Sequence, residues 1–276
     1  MGDSLLMFLA AVAFGAYVQA VTGFALGIFV LGAVVLLDIS SIAITATALN
    51  FMTLATGSVV VLPRLRSVHW RLVMMTLVGL MPMMVVGVLA LNYLSAHSQL
   101  MLRLLLGLLV MAGGFVLVWR PRPREKLSGR TSFISMGAVG GVLGGLFSVP
   151  APPLVYQLYR QPLSVLTVRA TLIALFSALG IGRLVVVGLE GDISEQVLQI
   201  SAFSIPVVLV AAWLGNRFPP RISDTTMRRS VFALLMVAGG FITFTSMTGL
   251  AGVGVSGTSR TGEIQVARPT VSPVGL

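Results

Sequence analysis

The chain has no cysteine among its 276 residues, which excludes disulfides, thiolate metal sites and cysteine nucleophiles. Charge is scarce as well: 9% of residues are charged, against about 25% in soluble domains. With 57% hydrophobic residues and a mean hydropathy of +1.01, a soluble globular fold is excluded. The long apolar runs equally exclude a β-barrel, whose strands alternate. All 8 acidic residues fall in a predicted loop, a segment end or the tail, so no carboxylate is placed to relay protons within a membrane. There is no GxxxxGK[ST] run for P-loop ATP hydrolysis. His69 and His97 are interfacial, isolated and without carboxylates at ligand spacing, so neither metal nor cofactor is expected. With no nucleophile–base pair visible either, an enzyme is not expected. The start "MGDSLLMFL" has an acid and no base before its apolar run, unlike a cleaved signal peptide.

What is present is a series of apolar segments at about 5–37, 40–62, 72–94, 99–119, 131–160, 163–188, 196–215 and 226–247. They predict an all-α polytopic membrane protein. The last stretch, 249–276, is rich in Gly, Ser, Thr and Pro and reads as a disordered polar tail. The net charge of +10 comes from bases clustered in short loops, which points to orientation in a bilayer and away from nucleic acid.

The halves repeat. "GAYVQAVTGFALGI" from Gly15 aligns with "GAVGGVLGGLFSVP" from Gly137 at an offset of 122. "ATALN" from Ala46 pairs with "ATLIA" from Ala170 at 124, and "RLLLGLLVMAGGF" from Arg103 with "RSVFALLMVAGGF" from Arg229 at 126. The chain therefore divides into a first transmembrane repeat, 1–119, a basic linker, 120–130, and a second repeat, 131–248.

Charge then selects a topology. If every segment crossed once, Arg64, Arg66 and Arg71 would face away from Arg217, Arg221, Arg228 and Arg229, against the positive-inside rule. If segments one and five instead turn back on themselves, loops 63–71, 120–130, 160–162 and 216–229 share one side and hold 13 of the 18 Lys and Arg residues. Those loops are expected in the cytoplasm and the termini outside. Length agrees: Leu5–Leu37 would span roughly 50 Å as one helix, against a hydrocarbon core of about 30 Å. Two half-helices meeting near the midplane are expected, with "QAVTG" as the first tip. In the second copy, "GGLFSVPAPP" carries Pro150, Pro152 and Pro153, which a helix interior does not accept. The expected fold is two inverted repeats, each a broken helical hairpin followed by three transmembrane helices. That arrangement is a secondary-transporter pattern.

A broken helix in a bilayer exposes backbone groups that protein, water or ligand must satisfy, and half-helix N-termini favour anions. Thr22 and Ser148 are the expected caps of the second half-helices. Gly23, Gly27, Gly144 and Gly145 would let a ligand approach the backbone; close helix packing is the ordinary alternative, as for Gly107. Thr47, Asn50 and Thr171 lie in the crossings after the hairpins, and Gln19 and Ser177 are also set in apolar surroundings. Each could bind substrate or a neighbouring helix. Of the two arginines within segment six, Arg169 and Arg183, the first is preferred as a substrate ligand because it adjoins the repeat-matched "RAT"; snorkelling is the alternative for both.

The glycine-rich broken segment, its repetition after a basic loop and the "AT" of the following helix resemble the sulfite exporter TauE/SafE family over about residues 5–247. The first copy departs from the family's glycine-richer pattern at Ala25 and Leu26. The resemblance implies a bacterial inner-membrane permease for sulfite or an organosulfonate; composition and spacing alone indicate an anion-friendly transporter. Its expected partners are a small anion and the lipid bilayer, and a homo-oligomer is compatible with the sequence. Export by alternating access would need no ion coupling, since an inside-negative potential drives one negative charge outward with about 2.3 kcal/mol per 100 mV. An anion channel and a non-transporting membrane scaffold subunit are the competing readings.

Overall fold

The computed structural model describes residues 2–37, 40–118 and 124–218, together with Gly240. Every regular element among them is helical. Segment one is two helices, α1 (Gly2–Thr22) and α2 (Leu26–Leu37), and segment five is likewise two, α6 (Arg130–Phe147) and α7 (Ala151–Tyr159). Between them run α3 (Ile42–Val60), a 3-10 turn (Leu62–Ser67), α4 (Trp70–His97) and α5 (Gln99–Val118); α8 (Val165–Glu190) and α9 (Glu195–Arg217) follow. The eighth apolar segment, the tail and most of the loop at 216–229 lie outside the described residues.

Local chemistry explains the boundaries. Ser41, Ser164 and Ser194 each cap a helix by accepting from the amide three residues on, at Ile44, Thr167 and Val197. The first two open the repeat-matched helices α3 and α8. α3, α4, α8 and α9 are each long and apolar enough to cross a membrane. α4 and α9 carry internal prolines, Pro82 and Pro206, again 124 residues apart.

Polarity is inverted relative to a soluble protein. Val78, Val85 and Leu89 on α4, Ile181 and Val185 on α8, and Phe203 and Val210 on α9 are exposed, as lipid-facing residues should be. Gln19, Asn50, Thr171, Arg183 and Ser204 are buried. The chain is a multi-pass membrane protein.

Packing joins the two parts of the chain crosswise. α6 lies along α4, and α1 lies against α9. Gly137, Gly141 and Gly145 on α6 face α4 so closely that a methyl group would overlap the carbonyl oxygens of Thr76, Leu80 and Met84. Such side-chain-free seams let helices approach where no hydrophobic effect drives them together. The paired positions rise together, so α4 and α6 run parallel. α3 and α8 run antiparallel: Arg183 reaches Thr47, Gly180 faces Asn50 and Ser177 faces Gly57.

One expectation is corrected here. At about 1.5 Å per residue, the 21 residues of α1 span roughly 31 Å and the 12 of α2 roughly 18 Å; α6 and α7 have 18 and 9 residues. The hairpins have a long first arm and a short return, not two equal half-helices. The first break begins at the last residue of "QAVTG" and runs over Gly23–Ala25.

Candidate functional site between the two helix breaks

The first break turns on two residues with positive φ, Gly23 (90°) and Ala25 (106°). Glycine adopts this region freely, whereas alanine is strained there. The Thr22 hydroxyl lies 2.8 Å from both the Val18 and Phe24 carbonyls. It therefore closes α1 and does not cap α2. The cap comes from Gln19, whose Oε1 accepts from the Leu26 amide at 3.1 Å across the break. Gln19 Nε2 is buried without a partner among the described residues.

At the second break Ser148 ends α6 in the left-handed conformation (φ 55°), and the N-cap of α7 is Pro150, with no side-chain cap bond. The expected capping role of Ser148 is thus also corrected. Its hydroxyl donates to the Ala46 carbonyl at 2.6 Å and lies 3.0 Å from Asn50 Oδ1. This ties the second break to α3. Prolines have no N–H, so with residues 150, 152 and 153 all proline the first turn of α7 offers an anion little beyond the Ala151 amide. The start of α2, with Gly27 and Ile28, is the richer donor.

The two breaks meet. A Cβ on Gly27 would stand 2.6 Å from a methyl of Val149 and 3.6 Å from the Ser148 carbonyl oxygen. Between them lies a cavity of about 20 Å³ bordered by Gln19, Gly27, Asn50, Ser148, Pro150 and Phe176. That is room for one water-sized group. One turn along α8 from Leu179, which borders the cavity, Arg183 is fully buried and donates from Nε to the Gly145 carbonyl at 3.0 Å and from Nη1 to Thr47 Oγ1 at 3.4 Å. Its Nη2 is buried without a partner among the described residues. A cation with a free donor beside an amide donor and a hydroxyl can neutralise and orient a small oxyanion.

Of the residues singled out from sequence, Gln19, Gly27, Asn50 and Ser148 border this cavity, and Thr47 accepts from Arg183. The others lie elsewhere. Gly145 belongs to the α4 seam, and Gly144 packs on the Leu179 side chain, so packing explains both better than ligand approach. Gly23 abuts the Arg169 backbone, and Ser177 faces Gly57 between α3 and α8. Thr171 Oγ1 accepts from the His69 amide at 3.1 Å, holding the end of the 3-10 turn. The Thr22 carbonyl accepts from the Tyr159 hydroxyl at 3.2 Å. Arg169 borders a different cavity, between the 3-10 turn and the end of α9, and Arg183 is buried where α3, α6 and α8 meet. Sequence reasoning missed the apolar wall of Phe176 and Leu179, which sit among many similar residues and carry no signal of their own.

Comparison with known proteins places the sequence among membrane exporters. The sequence model of the family described as "Sulfite exporter TauE/SafE" matches residues 7–242. A protein of Cupriavidus necator named "Probable sulfite/organosulfonate exporter TauE" is 37% identical over 225 residues, covering 82% of this chain and 88% of its own length. No solved structure matches the chain.

Proposed function

The chain belongs to the sulfite exporter TauE/SafE family, and from that membership we propose that it carries sulfite or an organosulfonate out across a bacterial inner membrane by alternating access, binding the anion between the two helix breaks. It is a membrane transporter, not an enzyme. The observation that carries the proposal is the convergence of Gly27 and Gln19 on one break with Ser148 and Val149 on the other, beside the buried Arg183. The unpartnered Gln19 Nε2 and Arg183 Nη2 are the donors assigned to the oxyanion; the Asn50 amide and the Ser148 hydroxyl, which already donate to carbonyls of α3, border the site.

A cavity of about 20 Å³ is too small for sulfite, so on this reading the breaks part to admit it. The same closure disfavours an open channel. The antiparallel α3 and α8, and the crosswise packing of α6 on α4 and of α1 on α9, support two inverted repeats, 1–119 and 131–248, that rock about the site. Loops 63–71 and 160–162 then face the cytoplasm. Because the chain has no cysteine, Ser67→Cys and Ala96→Cys report sidedness cleanly. A membrane-impermeant maleimide should label only the second in intact cells, and the reverse pattern would invert the topology.

Transport is tested in sulfite-loaded proteoliposomes under an imposed potassium-diffusion potential. Efflux should rise when the lumen is negative, because a charged species moves alone. Sulfite efflux indifferent to voltage would end the uniport reading.

A further inference from the structure

A second, larger cavity of about 150 Å³ lies between the last turn of α1, the ends of α3 and α9, and the start of α8. Two guanidinium groups border it. Arg64, on the 3-10 turn, donates from Nη1 to Asn216 Oδ1 at 2.6 Å. Arg169, in the second turn of α8, has a buried Nε with no partner among the described residues. Among the described residues, no acidic one borders this space. A donor held out of water without an acceptor is costly unless a ligand supplies one.

This cavity adjoins the central one. Ala20 borders the large cavity and Gln19 the small one; Gly23, at the break, would bring a Cβ within 3.1 Å of Arg169 Cα. One helical turn of α1 and its break separate the two spaces. Among the described residues, the repeat-matched positions at the opposite end hold no such cationic pair. At repeat offsets of 124 and 126, Asn216 corresponds to Asn92 and Arg64 to Glu190; there Asn92 Nδ2 donates to Glu190 Oε2 at 3.1 Å. The counterpart of Arg169 is Thr45, which is neutral. The same frame thus carries cations at one end and an acid at the other.

We propose that the Arg64–Arg169–Asn216 cavity is a second anion site, which loads the substrate oxyanion from the face bearing loop 63–71 before it passes the Gly23–Ala25 break to the central site. The acidic counterpart weakens capture at the opposite face. The pair of ends makes the carrier's apparent affinities unequal; net flux still follows the gradients. This inference rests on the transporter reading above.

The test is sulfite uptake into inside-out and right-side-out membrane vesicles, giving a half-saturation concentration for each face. Losing one charge-assisted contact predicts a rise of about tenfold for Arg169→Gln on the face of loop 63–71, with the other face changed less than twofold. Arg169→Lys should recover most of the loss. Asn216→Asp, which leaves both arginines in place and adds a competing carboxylate, should mimic Arg169→Gln. Equal shifts on both faces, or none, overturn the loading site while wild-type transport stands. Wild-type vesicles that move no sulfite overturn the transporter reading and the loading site with it. A phospholipid headgroup offers the same oxyanion chemistry, so the variants are also reconstituted in phosphatidylcholine with and without phosphatidylglycerol. A one-sided shift in both lipids supports substrate loading, and a shift only with phosphatidylglycerol makes this a lipid site and overturns the proposal.

Discussion

Gly27→Ala separates transport from stability at the point where the two breaks touch. The added Cβ would lie 2.6 Å from a Val149 methyl, so that methyl must swing aside, at roughly 0.5–1.5 kcal/mol if the rotamer is strained. Against this, replacing glycine by alanine in a helix gains about 0.5–1 kcal/mol. Folding stability should therefore change by less than about 1 kcal/mol, the difference of these two terms. Binding is affected more. The methyl occupies a cavity of about 20 Å³, the space from which the ligand site opens. Overpacking of this kind costs about 1–3 kcal/mol, so the half-saturation concentration should rise roughly five- to hundredfold. Sulfite efflux from proteoliposomes gives the first quantity, and a thermal melt of the detergent-purified protein gives the second. A variant with unaltered melting and unaltered half-saturation would show that the anion does not pass between Gly27 and Val149.

Ala25→Gly should relieve the strain at φ 106° and stabilise the protein by about 1 kcal/mol; a melting temperature at or below that of the native chain would count against strain at this turn. Arg183→Met removes a fully buried cation whose replacement by an apolar side chain is often tolerated; the protein should melt near the native temperature yet lose at least tenfold in sulfite flux, by the worth of a charge-assisted contact, and retained flux would take Arg183 out of the anion's path. Gly141→Leu drives a side chain into the Leu80 carbonyl of α4 and should sharply lower the amount of folded protein recovered from membranes, measured by fluorescence-detected size exclusion; normal yield would contradict the tight α4–α6 seam.

Much of the helix plan was legible because membrane segments announce themselves by length and apolarity. The stretches read at 40–62, 72–94, 99–119, 163–188 and 196–215 correspond to α3, α4, α5, α8 and α9. Both interruptions were readable too, the second from its prolines and the first from its excess length over the bilayer. The details of the breaks were not. That Gln19 caps Leu26 depends on a contact seven residues apart across a non-helical turn, and nothing local distinguishes it from a cap by Thr22. Glycines look alike in sequence whether they face a ligand or a helix; only the packing separates Gly27, at the cavity, from Gly145, against Met84. Arg169 outranked Arg183 because it borders a repeated motif, whereas the burial of Arg183 where α3, α6 and α8 meet is visible only in the packing.

Pro82 interrupts the backbone ladder of α4 because it has no N–H to give the Val78 carbonyl, so the helix has a pliable joint partway along its length. The arm whose end holds Ser148 is clipped to that same helix at Thr76, Leu80 and Met84, on both sides of the joint. Flexing α4 there must tilt its passenger, while Ser148 grips Ala46 on α3. Under the proposed rocking motion, the serine hydroxyl is a latch that lets go at each turnover.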